Sequence, residues 1–166
     1  NIALKRLMSV FPVAYNSLNC VLEDLRDPTL EQEGLVIALK KRFVEIGIEN
    51  IEIDDNLDGR LPPRIEGLMY RVAQEALNNS VKHANIPADK LMIKVTLQQQ
   101  NGSVRLSVHD NGVGFNYDEV IEKKNKYGLR RIREKVHEAG GEMTVISYYQ
   151  NGTDFNVTLP VKVEQL

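Results

Sequence analysis

Residues 64–84, RIEGLMYRVAQEALNNSVKHA, decide the architecture. No proline interrupts them, and their one glycine, Gly67, falls early. At about 100° per residue, Ile65, Leu68, Met69, Val72, Ala76 and Ser80 form one apolar-to-small stripe, the period of a helix laid on a core. Glu75, Asn79, Lys82 and His83 stack along one edge of that stripe, while Asn78 points to the other side. A carboxylate, an amide, an ammonium and an imidazole at a core boundary need partners, because burying them unpaired is costly. A water-lined pocket with an ion and phosphates would supply those partners. An amphipathic helix with a polar flank is the plainer alternative.

The totals frame that choice. A length of 166 residues suits one ordinary domain plus an appendage, and 42% hydrophobic with 27% charged residues describes a soluble chain able to bury a core. A net charge of −2 supplies no basic field, so nucleic acid is not the expected partner. Cys20 is the one cysteine, which excludes an internal disulfide and points to a reducing, cytoplasmic setting. The longest unbroken apolar run, Leu35–Leu39, is too short to span a bilayer, so no direct membrane contact is expected. With no signal peptide and no initiating Met, the expectation is a piece of a longer protein.

Upstream of the long helix, Leu4, Leu7, Phe11, Ala14, Leu18, Val21 and Leu25 repeat as an a/d heptad seam over residues 1–26, with Pro12 an awkward kink within it. Such a seam suits a helix of a dimeric bundle, or a lone amphipathic helix folded on its own domain. Asp27-Pro28 ends it, and 27–33 read as a linker. Residues 34–46 have helical periodicity and Gly47 is placed as a stop. Ile48–Ile53 reads as a strand, Asp54–Gly59 as polar loop, and Pro62-Pro63 as a rigid lead-in to the long helix.

Downstream, alternation takes over. Leu91, Ile93, Val95 and Leu97 make one strand face and Val104, Leu106 and Val108 another, joined by a turn at Asn101-Gly102. Residues 116–127 are polar and patternless. A helix with Leu129, Ile132, Val136 and Ala139 inward then runs to Gly140-Gly141. Met143–Tyr149 and Phe155–Leu159 alternate again and meet at Asn151-Gly152. Helices and hairpins in this order predict an α+β fold, a two-layer sandwich of a mixed sheet on helices with an N-terminal helix, rather than a doubly wound sheet.

Three further places could carry chemistry. The strand ending at Asp110 runs into Asp110-Asn111-Gly112-Val113-Gly114, where glycines let backbone approach a ligand and a fixed acid could accept from a purine's exocyclic amine. A hairpin turn is the plain reading, but a polar loop of roughly a dozen residues follows, too long for one. Gly128 opens a helix, either as an ordinary cap or to offer its N–H groups to phosphate. Arg130, Arg131, Arg133 and Lys135 read mostly as a solvated face. Gly152-Thr153 is a turn, or places a hydroxyl against a base.

In order and spacing, Glu75-Ala76-Leu77-Asn78-Asn79-Ser80-Val81-Lys82-His83-Ala84, Asp110-x-Gly112-x-Gly114-Phe115, Gly128-Leu129 and Gly152-Thr153 resemble the nucleotide-binding boxes of sensor histidine kinases. These belong to the Bergerat-fold ATPases, with type II topoisomerases, mismatch-repair ATPases and ninety-kilodalton heat-shock chaperones. The resemblance covers about 34–162, and the text around Gly128-Leu129 looks most like the nitrate-sensor and desaturase-regulator subgroup. It implies ATP and Mg2+ as cofactors, with Asn79 the magnesium ligand and Glu75 polarising a water or the attacking group. It implies Lys82 and His83 near the phosphates and Asp110 under the adenine amine, with Gly112 and Gly114 giving access. Residues 116–127 would be a lid, Gly128 and Leu129 its hinge, and Thr153 a base-side contact. It further implies a second copy of the chain and a response regulator as partners.

One departure stands out. His83, His109 and His137 do not fit the His-Asp-x-Leu phosphoacceptor helix of this subgroup. Residues 1–26 are therefore expected to be the remnant of the second dimerisation helix, 27–33 a linker, and 34–166 the ATP-binding catalytic domain, acting on an acceptor supplied in trans. An anti-sigma-type serine kinase on the same fold and a non-catalytic nucleotide-sensing scaffold are the alternatives.

Overall fold

A computed structural model describes residues 27–48, 50–114 and 127–161. The heptad seam and most of the proposed lid lie outside the described residues. The elements run α1 (Pro28–Glu33), α2 (Leu35–Ile46), β1 (Ile51–Asn56), α3 (Pro63–His83), β2 (Ile93–Gln100), β3 (Ser103–Asp110), α4 (Tyr127–Glu138), β4 (Glu142–Ser147) and β5 (Thr153–Pro160).

The strands form one mixed sheet in the order β1-β2-β3-β5-β4. Strand β1 is parallel to β2, and every other pair is antiparallel. Alternation then sorts the side chains. Ile93, Val95 and Leu97 of β2, Val104, Leu106 and Val108 of β3, and Phe155, Val157 and Leu159 of β5 all face the helices and are buried. The opposite face is polar. Glu52 meets Lys94 at 3.1 Å, Ser107 meets Asn156 at 2.6 Å and His109 meets Asp154 at 2.8 Å across neighbouring strands. A face of that chemistry requires no covering layer, so the fold stays at two.

Helix α3 crosses the apolar face. Met69, Val72, Ala73, Ala76 and Leu77 are buried, and its small residues let it lie close to the sheet. Helix α4 seals the other half of that face with Val136 buried and Leu129, Ile132 and Ala139 packed against the core. The segment 54–59, expected as loop, continues β1 through Asn56, whose partner is Gln98. As an edge strand with one solvated face, β1 tolerates Asp54 and Asp55 where a central strand would not.

The stretch 27–33, expected as a linker, is helical from Pro28 and packs on the domain. Asp27 caps it, its Oδ1 accepting from the N–H groups of Thr29 at 2.8 Å and Leu30 at 3.2 Å. The Asp27 Oδ2 accepts from the Tyr70 hydroxyl at 2.7 Å, which ties the cap to α3. Glu66, at 4% exposure, anchors the same region. It accepts from Arg60 Nε at 2.9 Å, Arg60 Nη2 at 2.7 Å and the Leu35 N–H at 3.2 Å. Arg60 also donates to the Leu30 carbonyl at 2.9 Å. A buried carboxylate held by a two-pronged guanidinium and a backbone N–H is fully partnered.

Burial opposes ionisation of Asp27, but the bond from Tyr70 and those from the Leu30 and Thr29 N–H groups outweigh it and hold the carboxyl below its usual value. Burial and then the bond to Asp27 push the Tyr70 phenol above its usual range. With the folded pKa of Asp27 below the unfolded one, its stabilisation is complete at neutral pH and is lost as the pH falls through the lowered value. Asp27→Ala is expected to cost about 1 kcal/mol at pH 7. In urea melts, that deficit should shrink as the pH falls below about 4, where the carboxyl of the unfolded chain takes up its proton while the folded one still resists.

Candidate functional site

The period-two pattern that buries Val104, Leu106 and Val108 also turns Asp110 inward at the end of a central strand. Asp110 is 4% exposed and Ser80, facing it from the last turn of α3, is 3% exposed. The Ser80 hydroxyl donates to Asp110 Oδ2 at 2.7 Å, with the Ala76 carbonyl also within reach at 3.1 Å. The Gly112 N–H donates to Oδ1 at 2.9 Å. A charge-assisted pair in such a place replaces the water the carboxylate has lost.

A cleft opens above this pair. It encloses about 340 Å³ of empty space counted out to open solvent. Asn79, Ser80, His83 and Ala84 line it from α3, Asp110 and Gly114 from the β3 end, Leu129 from the first turns of α4, and Thr153 and Phe155 from β5. Of the residues expected from sequence, Asn79, His83, Asp110, Gly114, Leu129 and Thr153 thus meet in one place. Ser80 and Phe155 belong to it too. The sequence placed Ser80 on the core stripe and Phe155 in a strand, and no local signal marks either as a cleft residue.

Four expected residues sit differently. Lys82 is exposed and does not line the cleft. The four α3 residues of the lining centre between Ser80 and His83, and Lys82 projects roughly 130° from that direction. Glu75 lies on the same flank, where its Oε1 accepts from Asn79 Nδ2 at 3.3 Å. Its carboxylate rests against Gly128, and a Cβ there would push that side chain aside. Gly128 thus serves close packing of α4 on α3 rather than lining the cleft. Gly112 likewise faces α3, since a Cβ there would lie 2.7 Å from Ala84 Cα.

Backbone stitching closes the floor. The Val113 N–H donates to the Ala84 carbonyl at 2.8 Å, and the Gln150 N–H to the Val113 carbonyl at 2.6 Å. Asn111, read from sequence only as part of a glycine loop, is a clip: its Oδ1 accepts from the Met92 N–H at 2.8 Å and its Nδ2 donates to the Lys90 carbonyl at 3.0 Å. Ser147 donates to the Gly152 carbonyl at 3.0 Å and stands 3.1 Å from Thr153 Oγ1.

Among the described residues no three His, Cys, Asp or Glu side chains cluster as metal ligands. The amide of Asn79 bonds Glu75 through its Nδ2, which leaves its oxygen as a hard donor. Mg2+ keeps several waters and takes one or two protein oxygens beside substrate phosphates, and the Asn79 amide oxygen with the Glu75 carboxylate next to it fits that demand.

Comparison with known proteins shows the family and the fold. Residues 65–163 match the family described as histidine kinase-, DNA gyrase B-, and HSP90-like ATPase. The sensor histidine kinase LiaS of Bacillus subtilis strain 168 is 36% identical over 154 residues, 92% of this chain and 41% of that protein. The sensor protein VraS of Staphylococcus haemolyticus is 33% identical over 142 residues, 84% of this chain and 38% of that protein. The chain therefore spans about two fifths of the length of these curated relatives. The histidine kinase domain of the Erythrobacter litoralis EL346 blue-light activated kinase superposes with a TM-score of 0.64 over 77% of this chain and 63% of that one, at 22% identity. At that identity the likeness concerns the fold.

Two glycine substitutions separate floor from scaffold. Gly114 has φ +63°, and a Cβ on it would collide with the Tyr148 carbonyl. Gly67 lies in α3 with open space around it. Gly114→Ala is expected to destabilise the chain by about 2 kcal/mol or more, and Gly67→Ala to stabilise it by about 0.5–1 kcal/mol. Thermal melts of both check the assignment, which fails if Gly114→Ala melts no lower than the parent.

Proposed function

We infer the function from one premise: the chain belongs to the histidine kinase-, DNA gyrase B- and HSP90-like ATPase family. Within it, the chain is the ATP-binding catalytic domain of a two-component sensor histidine kinase. The observation that carries this reading is the buried, doubly anchored Asp110 at the floor of a cleft whose rim holds Asn79 and His83.

The roles are those the resemblance implies, supported for Asn79, His83, Asp110, Gly114 and Thr153 by their place in the cleft. Asp110 accepts from the adenine amine, and Thr153 lies beside the base. Gly114 keeps the floor free of side chain. Asn79 and His83 meet the phosphate end, and the resemblance assigns Lys82 to it as well, although that side chain leaves α3 on the flank away from the cleft. Glu75, one turn before Asn79, polarises the attacking group. Mg2+, held by the Asn79 amide oxygen with phosphate oxygens, would neutralise charge on the transferring phosphoryl group. The chain's own residues supply position and a preorganised field, which is most of what phosphoryl transfer asks of a protein.

The acceptor is a histidine supplied from outside the described residues. His109 is bound to Asp154 on the polar face of the sheet, away from the cleft, and His137 sits in α4. From the acceptor, phosphate would pass to a response regulator, and the parent would dimerise through the heptad seam of residues 1–26. The nitrate-sensor and desaturase-regulator subgroup is the finer placement, supported by the loop and helix text around Gly128. Among the described residues no helix is long and apolar enough to cross a membrane, and we place this domain in the cytoplasm.

Calorimetric titration of ATP with and without Mg2+ tests the reading. Binding that depends on Mg2+ is expected for the parent and for Asn78→Ala. Asp110→Asn should weaken it at least tenfold, the value of about one charged hydrogen bond, and Asn79→Ala should abolish its response to Mg2+. Equal losses at Asn78 and Asn79 would remove the magnesium assignment, and absence of binding in the parent would remove the function.

A further inference from the structure

Asp110 is fixed before any ligand arrives, and its two anchors differ in kind. Gly112 lies two residues along the same chain, so its N–H moves with Asp110. Ser80 belongs to the opposite layer, and its hydroxyl ties Oδ2 to α3 at 2.7 Å. Asn79, the next residue on that helix, lines the phosphate end of the same cleft. Ser80 is thus the bond that references the floor acceptor to the helix carrying the rest of the site.

We propose that Ser80 is a specificity-determining residue that makes the cleft select purine nucleotides with an amino group at position 6 over those with a 6-oxo group. This rests on the nucleotide-binding reading above and deepens it. The Ser80 proton is directed at Asp110 Oδ2 or the Ala76 carbonyl, both inside the protein, so only lone pairs of its oxygen are left for the cleft. The neighbouring hydroxyl behaves alike. Ser147 donates to the Gly152 carbonyl and stands 3.1 Å from Thr153 Oγ1, where either hydroxyl can donate, so the Thr153 oxygen keeps lone pairs for the cleft. The floor therefore presents acceptors: a carboxylate and two hydroxyl oxygens. A 6-amino purine brings N–H donors to it. A 6-oxo purine turns its carbonyl to the carboxylate where the amine would stand, with its N1–H one ring position away, so acceptor faces acceptor at the buried Asp110.

Such a mismatch discriminates only while the acceptor cannot turn away, because the penalty is that of buried polar groups left unpaired. Gly112 alone holds one carboxylate oxygen and permits the group to swing about it. Ser80 holds the other and stops the swing. Removing the hydroxyl frees the carboxylate to avoid a carbonyl and leaves it less well placed for an amine. Affinity for the two bases should then converge.

The test is titration of the chain, Ser80→Ala and Ser80→Thr with the magnesium salts of ATP and of inosine triphosphate, which replaces the 6-amino group by a 6-oxo group. Ser80→Ala should weaken ATP roughly tenfold and inosine triphosphate much less, so that the ratio of the two dissociation constants falls. Ser80→Thr keeps the hydroxyl and should restore the parental ratio. If Ser80→Ala does not fold, Ser80→Cys, similar in size and a weak donor, takes its place with the same expectation. An equal loss for both nucleotides would reduce Ser80 to a structural role and overturn the proposal. So would a parental ratio in the alanine or cysteine variant. A parent that binds neither nucleotide overturns the functional reading itself, whereas a parent that binds ATP beside a variant of unchanged ratio overturns this inference alone.

Discussion

A carboxylate buried at the end of a central strand must find donors, and the donors it finds hold the two layers in register. Asp110 takes one from α3, through Ser80, and one from its own loop, through Gly112. The first bond brings the last turn of α3 down onto the β3 end. The second bends the loop so that the Val113 N–H reaches the Ala84 carbonyl at the end of the same helix. Strand β5 is drawn in as well, because Gly152 packs against the Asp110 backbone too closely to carry a Cβ. The cleft is the space left when helix end, loop and hairpin converge on one charge.

The opposite end of α3 is held by equivalent means. Glu66 is buried and accepts from Arg60 and from the Leu35 N–H, while Tyr70 reaches the cap of α1. Helix α3 is thus a spine pinned by a satisfied carboxylate at each end, with an apolar middle on the sheet. Buried ionic groups add little net stability, since desolvation offsets their attraction, but each has few geometries in which it is satisfied. Two such points along one helix fix its axial position and rotation, which apolar contacts among Val, Leu and Ala would leave looser. The α3 side chains of the cleft depend on that rotation. A turn of one residue position would carry Asn79 and His83 off the rim.

Much of this was legible in the residues. The α3 stripe, the alternation of β2, β3 and β5 and the turn at Asn101-Gly102 rest on periodicities of about 3.6 and 2, and short-range geometry enforces them. The same period placed Asp110 inward. Illegible were features whose cause lies far along the chain. Segment 27–33 carries too few apolar residues to announce a packed helix, and it becomes one through Arg60 and Tyr70, some thirty and forty positions away. Asp54 and Asp55 read as loop because strand polarity depends on being at an edge, and the order β1-β2-β3-β5-β4 is a property of the sheet. Gly112 and Gly128 were expected to serve the ligand, yet their missing side chains serve contacts with Ala84 and Glu75.

By itself, then, the sequence determined the types of the strongly periodic elements, their inward faces and the chemistry available at Glu75, Asn79, His83, Asp110 and Thr153, because these follow from residue identity and local spacing. Tertiary structure alone decided which of them converge. Asn79 and His83 turn to the cleft and Lys82 turns away, though all three lie within little more than one turn of α3. Ser80 passes from a small residue on a core stripe to the bond that orients Asp110. Helical spacing fixes angles about an axis but not where that axis lies, and its place was set by the need of one buried carboxylate for a donor.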